Sequence, residues 1–213
     1  MMGTRSGSFA RSRRMRACNR QVFSGSDVEK KKILKCRRVI GHQLVLRDAN
    51  PEDASFILGL RLDESKGRYL SKVAPDLQPQ VEWLARYQAD VGQAYFIIEN
   101  KAGERFGTVR LYDAVGDSFC WGSWLLRAGS PTAFAIESAL IVYRYAMSLG
   151  FSAAHFDVRK DNRSVWQFHE RFGAMRLSES GTDYFYSIDE AAIQYSLSRY
   201  ARFLPHGIQV VPG

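Results

Sequence analysis

With 213 residues, 46% of them hydrophobic, the chain can bury one sizeable core, and a second full domain would be cramped. No apolar run approaches the roughly 20 residues of a membrane-spanning helix, and Cys18, Cys36 and Cys120 are too few and too scattered for a disulfide framework or a zinc site, which points to reduced thiols in a cytoplasmic protein. The net charge of +8 does not describe the core: residues 1–40 hold 12 Lys/Arg against Asp27 and Glu29, a net of +10, and the remainder is −2, which argues against nucleic-acid binding by the folded part.

Residues 1–20 are rich in Arg and Ser and lack acids, a composition shared by transit peptides, anion-binding arms and disordered extensions. Met15 offers a later start. Lys30-Lys31-Lys32 and Arg37-Arg38 flank Ile33-Leu34, a marginal helix or solvated linker without chemistry. The expected organisation is a basic, disordered extension over 1–41, a folded domain over 42–204, and a tail over 205–213.

Order is expected to begin at Leu44-Val45-Leu46-Arg47, a short strand. Residues 48–53 then supply a polar cap, Pro51 at the first helical position and acids in the first turn, followed by Ala54, Ile57, Leu58 and Leu60 at helical spacing. After an irregular polar stretch (61–78), a second helix is expected over 79–91, with Val81, Leu84 and Tyr87 or Gln88 on one side. Segments 94–98, 106–111 and 118–126, separated by turn-rich connections, predict an antiparallel meander.

The strand ending Trp124-Leu125-Leu126 runs through Arg127-Ala128-Gly129-Ser130-Pro131-Thr132-Ala133 into a helix that reaches Leu149. Ser130 is placed to cap it, Pro131 suits its first turn, and Gly150 ends it. Ile136, Leu140, Tyr143 and Met147 mark its buried stripe. Small residues at its start let free backbone N–H groups approach a phosphate or pyrophosphate, although most capped helices bind nothing. A strand (154–158), a helix from Asn162 to Phe172 closed by Gly173, two strands (174–177 and 183–188) and a last helix complete the chain. Ser187 and Glu190 have capping-box spacing before that helix, whose apolar face is Ile193, Leu197, Tyr200 and Leu204. This order implies an α/β fold with a mixed, mostly antiparallel sheet and helices on its faces.

Leu46-Arg47-Asp48-Ala49-Asn50-Pro51-Glu52-Asp53-Ala54 and Val158-x-x-x-Asn162, followed by Val165, Phe168 and His169-Glu170-Arg171-Phe172-Gly173-Ala174, resemble the first and last signatures of the GNAT N-acyltransferases, with the strand–loop–helix between them in register over 42–188. The resemblance implies that the family's fourth and fifth strands, here Ser118–Leu126 and Ala153–Val158, splay apart and take acetyl-CoA as co-substrate. Leu125 and Leu126 would pair with the cofactor arm, and Arg127, Gly129, Ser130, Thr132 and Ala133 would hold its pyrophosphate. Asn162, Val165 and Phe168 would line the arm; an asparagine at 162 is equally read as a plain helix cap. Ser130 and Thr132 replace the small residues of the family's loop, keeping its size and losing glycine freedom.

At the place where the family often has a tyrosine that protonates the departing thiolate, this chain has His169, whose imidazolium can donate a proton; a histidine without a role is the alternative. Asp157, read as facing opposite to His155, is the candidate base for the amine, with Glu137 and Glu99 behind it. Direct transfer needs no covalent intermediate, so Cys120 is read as a buried strand cysteine. Trp121, Trp124, Trp166 and Phe168 bracket the site, as core or as a wall for a ring-shaped acceptor. Arg61, Arg68, Lys72, Gln80 and Trp83 lie in the acceptor-facing region and, with Tyr95-Phe96-Ile97-Ile98, resemble the branch that acetylates 4-amino sugars on nucleotide carriers.

The expectation is therefore acetyl transfer from acetyl-CoA to a primary amine of an amino-sugar nucleotide or another small molecule, without a metal; a homodimer is left open. The alternatives are a protein N-terminal or lysine acetyltransferase, a silent acyl-CoA-binding module, and a nucleic-acid binder acting through the tail.

Overall fold

The computed structural model describes residues 31–64, 67–70 and 73–213. The Arg- and Ser-rich stretch 1–20, with Met15 and Cys18, lies outside the described residues, as do Lys72 and the side chain of Arg68. The chain forms β1 (Arg38–Ile40), β2 (Leu44–Asp48), α1 (Ala54–Leu62), α2 (Leu77–Ala89), β3 (Ala94–Asn100), β4 (Arg105–Val115) and β5 (Ser118–Leu126). It continues with α3 (Thr132–Ser148), β6 (Ala153–Arg159), α4 (Arg163–Arg171), β7 (Met175–Glu179), β8 (Asp183–Ile188), α5 (Glu190–Arg199) and β9 (Gln209–Val211). The strands make one sheet in the order β7-β8-β6-β5-β4-β3-β2-β1-β9, antiparallel except for β5 against β6. Helices cover both faces. The larger core packs α3, α4 and α5 on one face, and a smaller cluster around Ile57, Leu84, Tyr87 and Tyr95 packs α1 and α2 on the other.

Local chemistry explains the opening. Asn50 Oδ1 accepts from Glu52 N at 2.9 Å, Asp53 Oδ2 accepts from Asn50 N at 3.0 Å, and Pro51 leads the turn, so α1 begins where a capping box predicts. The same Asp53 takes two bonds from Arg47, whose Nε donates to Glu99 at 2.8 Å. Glu99 is thus committed to a structural ion pair and is not available as a base. Helix α2 starts two residues before the expected position because Asp76 caps it, accepting from Gln78 N at 3.1 Å.

Both domain limits move outward. Ile33, Cys36 and Val39 are buried in the larger core, and β1 pairs with β2, so order begins ahead of residue 42. The expected tail supplies β9, which pairs with the other edge of β1. Three-residue strands are too short to show a period, and their partners are distant in sequence.

This N-terminal segment also changes α3. Besides Leu140 and Tyr143, the helix buries Glu137, Ser138, Ala139, Ile141, Val142, Tyr145 and Ala146. One side lies on the sheet and another meets residues 33–36, where Tyr145 OH donates to Leu34 O at 2.7 Å. Ser130 does not cap α3; its Oγ donates back to Arg127 O at 2.8 Å, and Pro131 occupies the cap position. Nor does Ser187 cap α5: it lies in β8, and Asp189 accepts from Ala192 N at 2.9 Å instead.

Candidate active site

The parallel ladder between β5 and β6 has three rungs, Ser118↔Ala153, Phe119↔Ala154 and Cys120↔His155. Beyond Cys120 and His155 no pairing joins the two strands among the described residues, leaving facing edges along 121–126 and 156–159. A bulge accompanies the divergence. Arg110 pairs with Gly122 and Thr108 with Leu125, so β5 carries one residue more than β4. Ser123 absorbs it at φ 47°, and Thr108 Oγ1 donates to Ser123 O at 2.7 Å. Such a bulge bends its strand and re-aims the backbone groups beside it. Gly107 permits the close crossing, since a Cβ there would sit 2.0 Å from Leu125 O.

The split opens onto the start of α3. Thr132 and Ala133 lead the helix and have no carbonyl four residues back within it, so their N–H groups point out with the positive end of the dipole. Gly129 takes φ 79° in open space, a left-handed turn that suits glycine. Arg127 turns away from the loop: its Nη2 meets Glu104 Oε1 at 2.5 Å and its guanidinium lies 4.1 Å from the Phe106 ring centre.

The α4 side of the split is aromatic. The His169 ring lies 4.2 Å from Phe156 and 5.1 Å from Trp121, with Trp124 and Phe168 also in contact, and the residue is 5% exposed. Burial pushes its pKa down to about 3. An imidazolium at 169 is therefore excluded at neutral pH, and the expected thiolate-protonating acid is corrected to a neutral imidazole. Val165 and Phe168 pack half-buried beside it. Trp166 faces away, with its Nε1 on Lys160 O and its ring edge-on to Tyr184. Asn162 precedes α4 and its side chain makes no cap bond, so the plain-cap reading is set aside.

On the other face of the sheet, strand alternation puts Arg110, Tyr112, Gly122, Cys120, His155 and Asp157 together. Asp157 thus shares a face with His155, contrary to the sequence reading, and His169 contacts Phe156 on the opposite face. Asp157 is exposed, yet its carboxyl is raised above the usual range, by surrounding protein atoms first and by Asp183 second. His155 Nδ1 lies 2.8 Å from Ser118 Oγ and its Nε2 3.5 Å from Asp113. Burial pushes the Cys120 thiol up to about 12, so it stays protonated and is no nucleophile. Glu137 is fully buried, with Oε1 accepting from Gln43 N at 2.7 Å and Leu44 N at 2.9 Å. It locks α3 to β2 and does no acid–base work at the split.

The sequence reading missed Ser123, Arg110 and Tyr112. The alternation Thr108-x-Arg110-x-Tyr112 was a legible signal for one polar sheet face; the bulge left none.

The acetyltransferase (GNAT) domain family matches residues 43–175. Among solved structures the chain is similar to FdhC, described as a nucleotide-linked sugar GNAT, with 36% identity over 80% of this chain and 97% of that one and a TM-score of 0.67. A GNAT-family acetyltransferase from Bacillus anthracis shares 14% identity over 72% and 99% of the two chains, at a TM-score of 0.62. The spermidine N-acetyltransferase of Vibrio cholerae shares 16% over 70% and 95%, at 0.58. These last two likenesses show the fold alone. Comparison with curated proteins finds no match.

Proposed function

The chain belongs to the GNAT acetyltransferase family, and we propose that it moves the acetyl group of acetyl-CoA directly to the primary amine of a nucleotide-linked amino sugar. The observation that carries this reading is the split between β5 and β6 beyond Cys120 and His155, facing the open start of α3. The acceptor class is supported by the 36% identity to a nucleotide-linked sugar GNAT over most of both chains.

The residues present fit acyl-CoA. Backbone groups of Leu125 and Leu126 offer an unpaired strand edge to the amides of the cofactor arm. N–H groups of Gly129, Thr132 and Ala133 face its pyrophosphate, helped by the helix dipole, while Ser130, whose own N–H donates to Arg127 O, keeps the loop small. Asn162 offers a side-chain amide to the arm, and Val165 and Phe168 give it an apolar wall. Arg127 is neutralised by Glu104 and braces the loop from outside the pyrophosphate place.

The N–H groups re-aimed by the bulge at Ser123 polarise the thioester carbonyl as its oxygen gains charge. Asp157 takes the proton of the attacking amine, directly or through water, on the face where His155 and Tyr112 also lie. His169 keeps the opposite wall neutral and dry, and the released thiolate takes its proton from solvent at the mouth. Direct transfer leaves Cys120 uninvolved.

The test is thiol release by the full chain with acetyl-CoA, comparing nucleotide-linked amino sugars, the free amino sugars, polyamines and short peptides. Turnover that requires the nucleotide carrier supports the proposal. Faster turnover of peptides or polyamines would replace the acceptor class, and failure to bind acetyl-CoA would remove the activity.

A further inference from the structure

Arg47 and Arg110 both lie partly buried on this sheet, and the fold treats them differently. Arg47 is neutralised: Asp53 takes two of its bonds and Glu99 a third, and together they raise its pKa. Arg110 on β4 has no carboxylate within ion-pair distance among the described residues. Its Nε donates to Gln93 Oε1 at 2.6 Å, and the Gln93 amide is in turn held by Asp90, so the nearest acid is one side chain removed. The guanidinium lies between two rings, 5.2 Å from the centre of Trp83 and 4.8 Å from that of Tyr112. Burial lowers its pKa, the opposite of Arg47. A partly desolvated cation without a counter-charge is costly, and aromatic faces offset only part of that cost.

Its position gives the charge a use. Arg110 pairs with Gly122, two residues past the last β5–β6 rung, on the face that carries Asp157. Gly122 adds no side chain there, and the Tyr112 hydroxyl lies 3.0 Å from where a Cβ would stand. Arg61 of α1 adds a second positive charge near by, since both guanidiniums act electrostatically on Tyr95. With Nε committed to Gln93, the remaining fork of Nη1 and Nη2 matches two oxygens of a phosphoryl group.

We infer that Arg110 is a substrate anchor that binds a phosphoryl oxygen of a nucleoside-diphosphate-linked acceptor, with Trp83 and Tyr112 holding the guanidinium flat beside the split. The assignment rests on the nucleotide-linked acceptor proposed above. Arg110 sets affinity for the acceptor and takes no part in bond making, so its removal raises KM and spares kcat.

The experiment uses the full chain, saturated with desulfo-CoA so that the CoA site is filled. Calorimetry with UDP, TDP, GDP and CDP, and with inorganic pyrophosphate, is run on the native protein and on Arg110→Gln and Arg110→Lys. Acceptor kinetics and urea unfolding are measured on all three. The expected result is nucleoside diphosphate binding by the native protein, weakened at least 10-fold in Arg110→Gln and partly restored in Arg110→Lys. The acceptor KM rises by the same factor, while kcat stays within 3-fold and acetyl-CoA affinity is unchanged. Urea stability of Arg110→Gln stays close to that of the native protein, because the bond to Gln93 is lost but no carboxylate loses a partner; a large drop in stability with unchanged nucleotide affinity would mark Arg110 as a structural residue and overturn the anchor. Unchanged acceptor KM and nucleotide affinity in Arg110→Gln would overturn the anchor and leave acetyl transfer to nucleotide-linked sugars intact. A native protein that binds no nucleoside diphosphate and acetylates only uncharged amines would overturn the nucleotide-linked reading itself. Pyrophosphate bound as tightly as any nucleoside diphosphate would assign the site to free phosphate and overturn the nucleotide carrier.

Discussion

His169 lies with its ring 4.2 Å from that of Phe156, and this packing decides its charge. A ring enclosed by Phe156, Trp121, Trp124 and Phe168 is shielded from solvent, which disfavours a cation, and its Nδ1 has no hydrogen-bond partner among the described residues.

The consequence for stability has a definite sign. The folded pKa, about 3, lies below the ordinary imidazole value of 6.5. Between those values the unfolded chain binds a proton that the folded chain refuses, so the contribution of His169 to stability is lost as pH falls below about 6.5. Replacing His169 by Phe removes this dependence. Comparing urea unfolding at pH 7 and pH 5, the native protein is expected to lose about 2 kcal/mol more than His169→Phe. Equal losses would show that the ring is protonated in the fold.

Asp157 predicts a shifted acid limb. As its carboxyl is raised by the surrounding protein atoms and then by Asp183, the base stays protonated to higher pH than an ordinary aspartate. The kcat/KM profile should therefore fall off above the usual carboxylate range. Asp183→Asn should move that limb to lower pH, and Asp157→Asn should cut kcat by about 100-fold or more. A pH profile of Asp157→Asn that keeps the native acid limb would assign the base elsewhere.

Asn162 separates binding from folding. Its side chain makes no cap bond to α4, so Asn162→Ala should change stability by less than about 0.5 kcal/mol. Loss of one hydrogen bond to the cofactor arm should weaken acetyl-CoA by about 3- to 10-fold. Calorimetry and thermal unfolding on the same sample read both, and a destabilised variant with native acetyl-CoA affinity would reverse the assignment.

The N-terminal limit is testable by truncation. A chain starting at residue 42 loses buried Ile33, Cys36 and Val39 and leaves β9 without its partner β1. Relative to a chain starting at 31, the expected cost is on the order of 5 kcal/mol. Unfolding midpoints of the two chains decide it; equal midpoints would make the segment dispensable.

Much of this protein was legible in one dimension, because its signals are local. The Asn50-Pro51 opening, the meander over 94–126, the loop of small residues before α3 and the Gly173 turn depend on neighbours a few residues apart, and the folded elements follow them. The family resemblance added that the strands over 118–126 and 153–158 splay apart. What the tertiary structure decided depends on distant partners. Strands β1 and β9 pair across about 170 residues, and Glu137 is consumed by β2. His169 is neutral because of Trp121 and Phe156, far from it in sequence. The face of Asp157 and the lone charge of Arg110 follow from the sheet register, which a bulge of one residue resets. Sequence fixes spacing along the chain, whereas burial, charge state and facing arise only when separate segments remove one another from water.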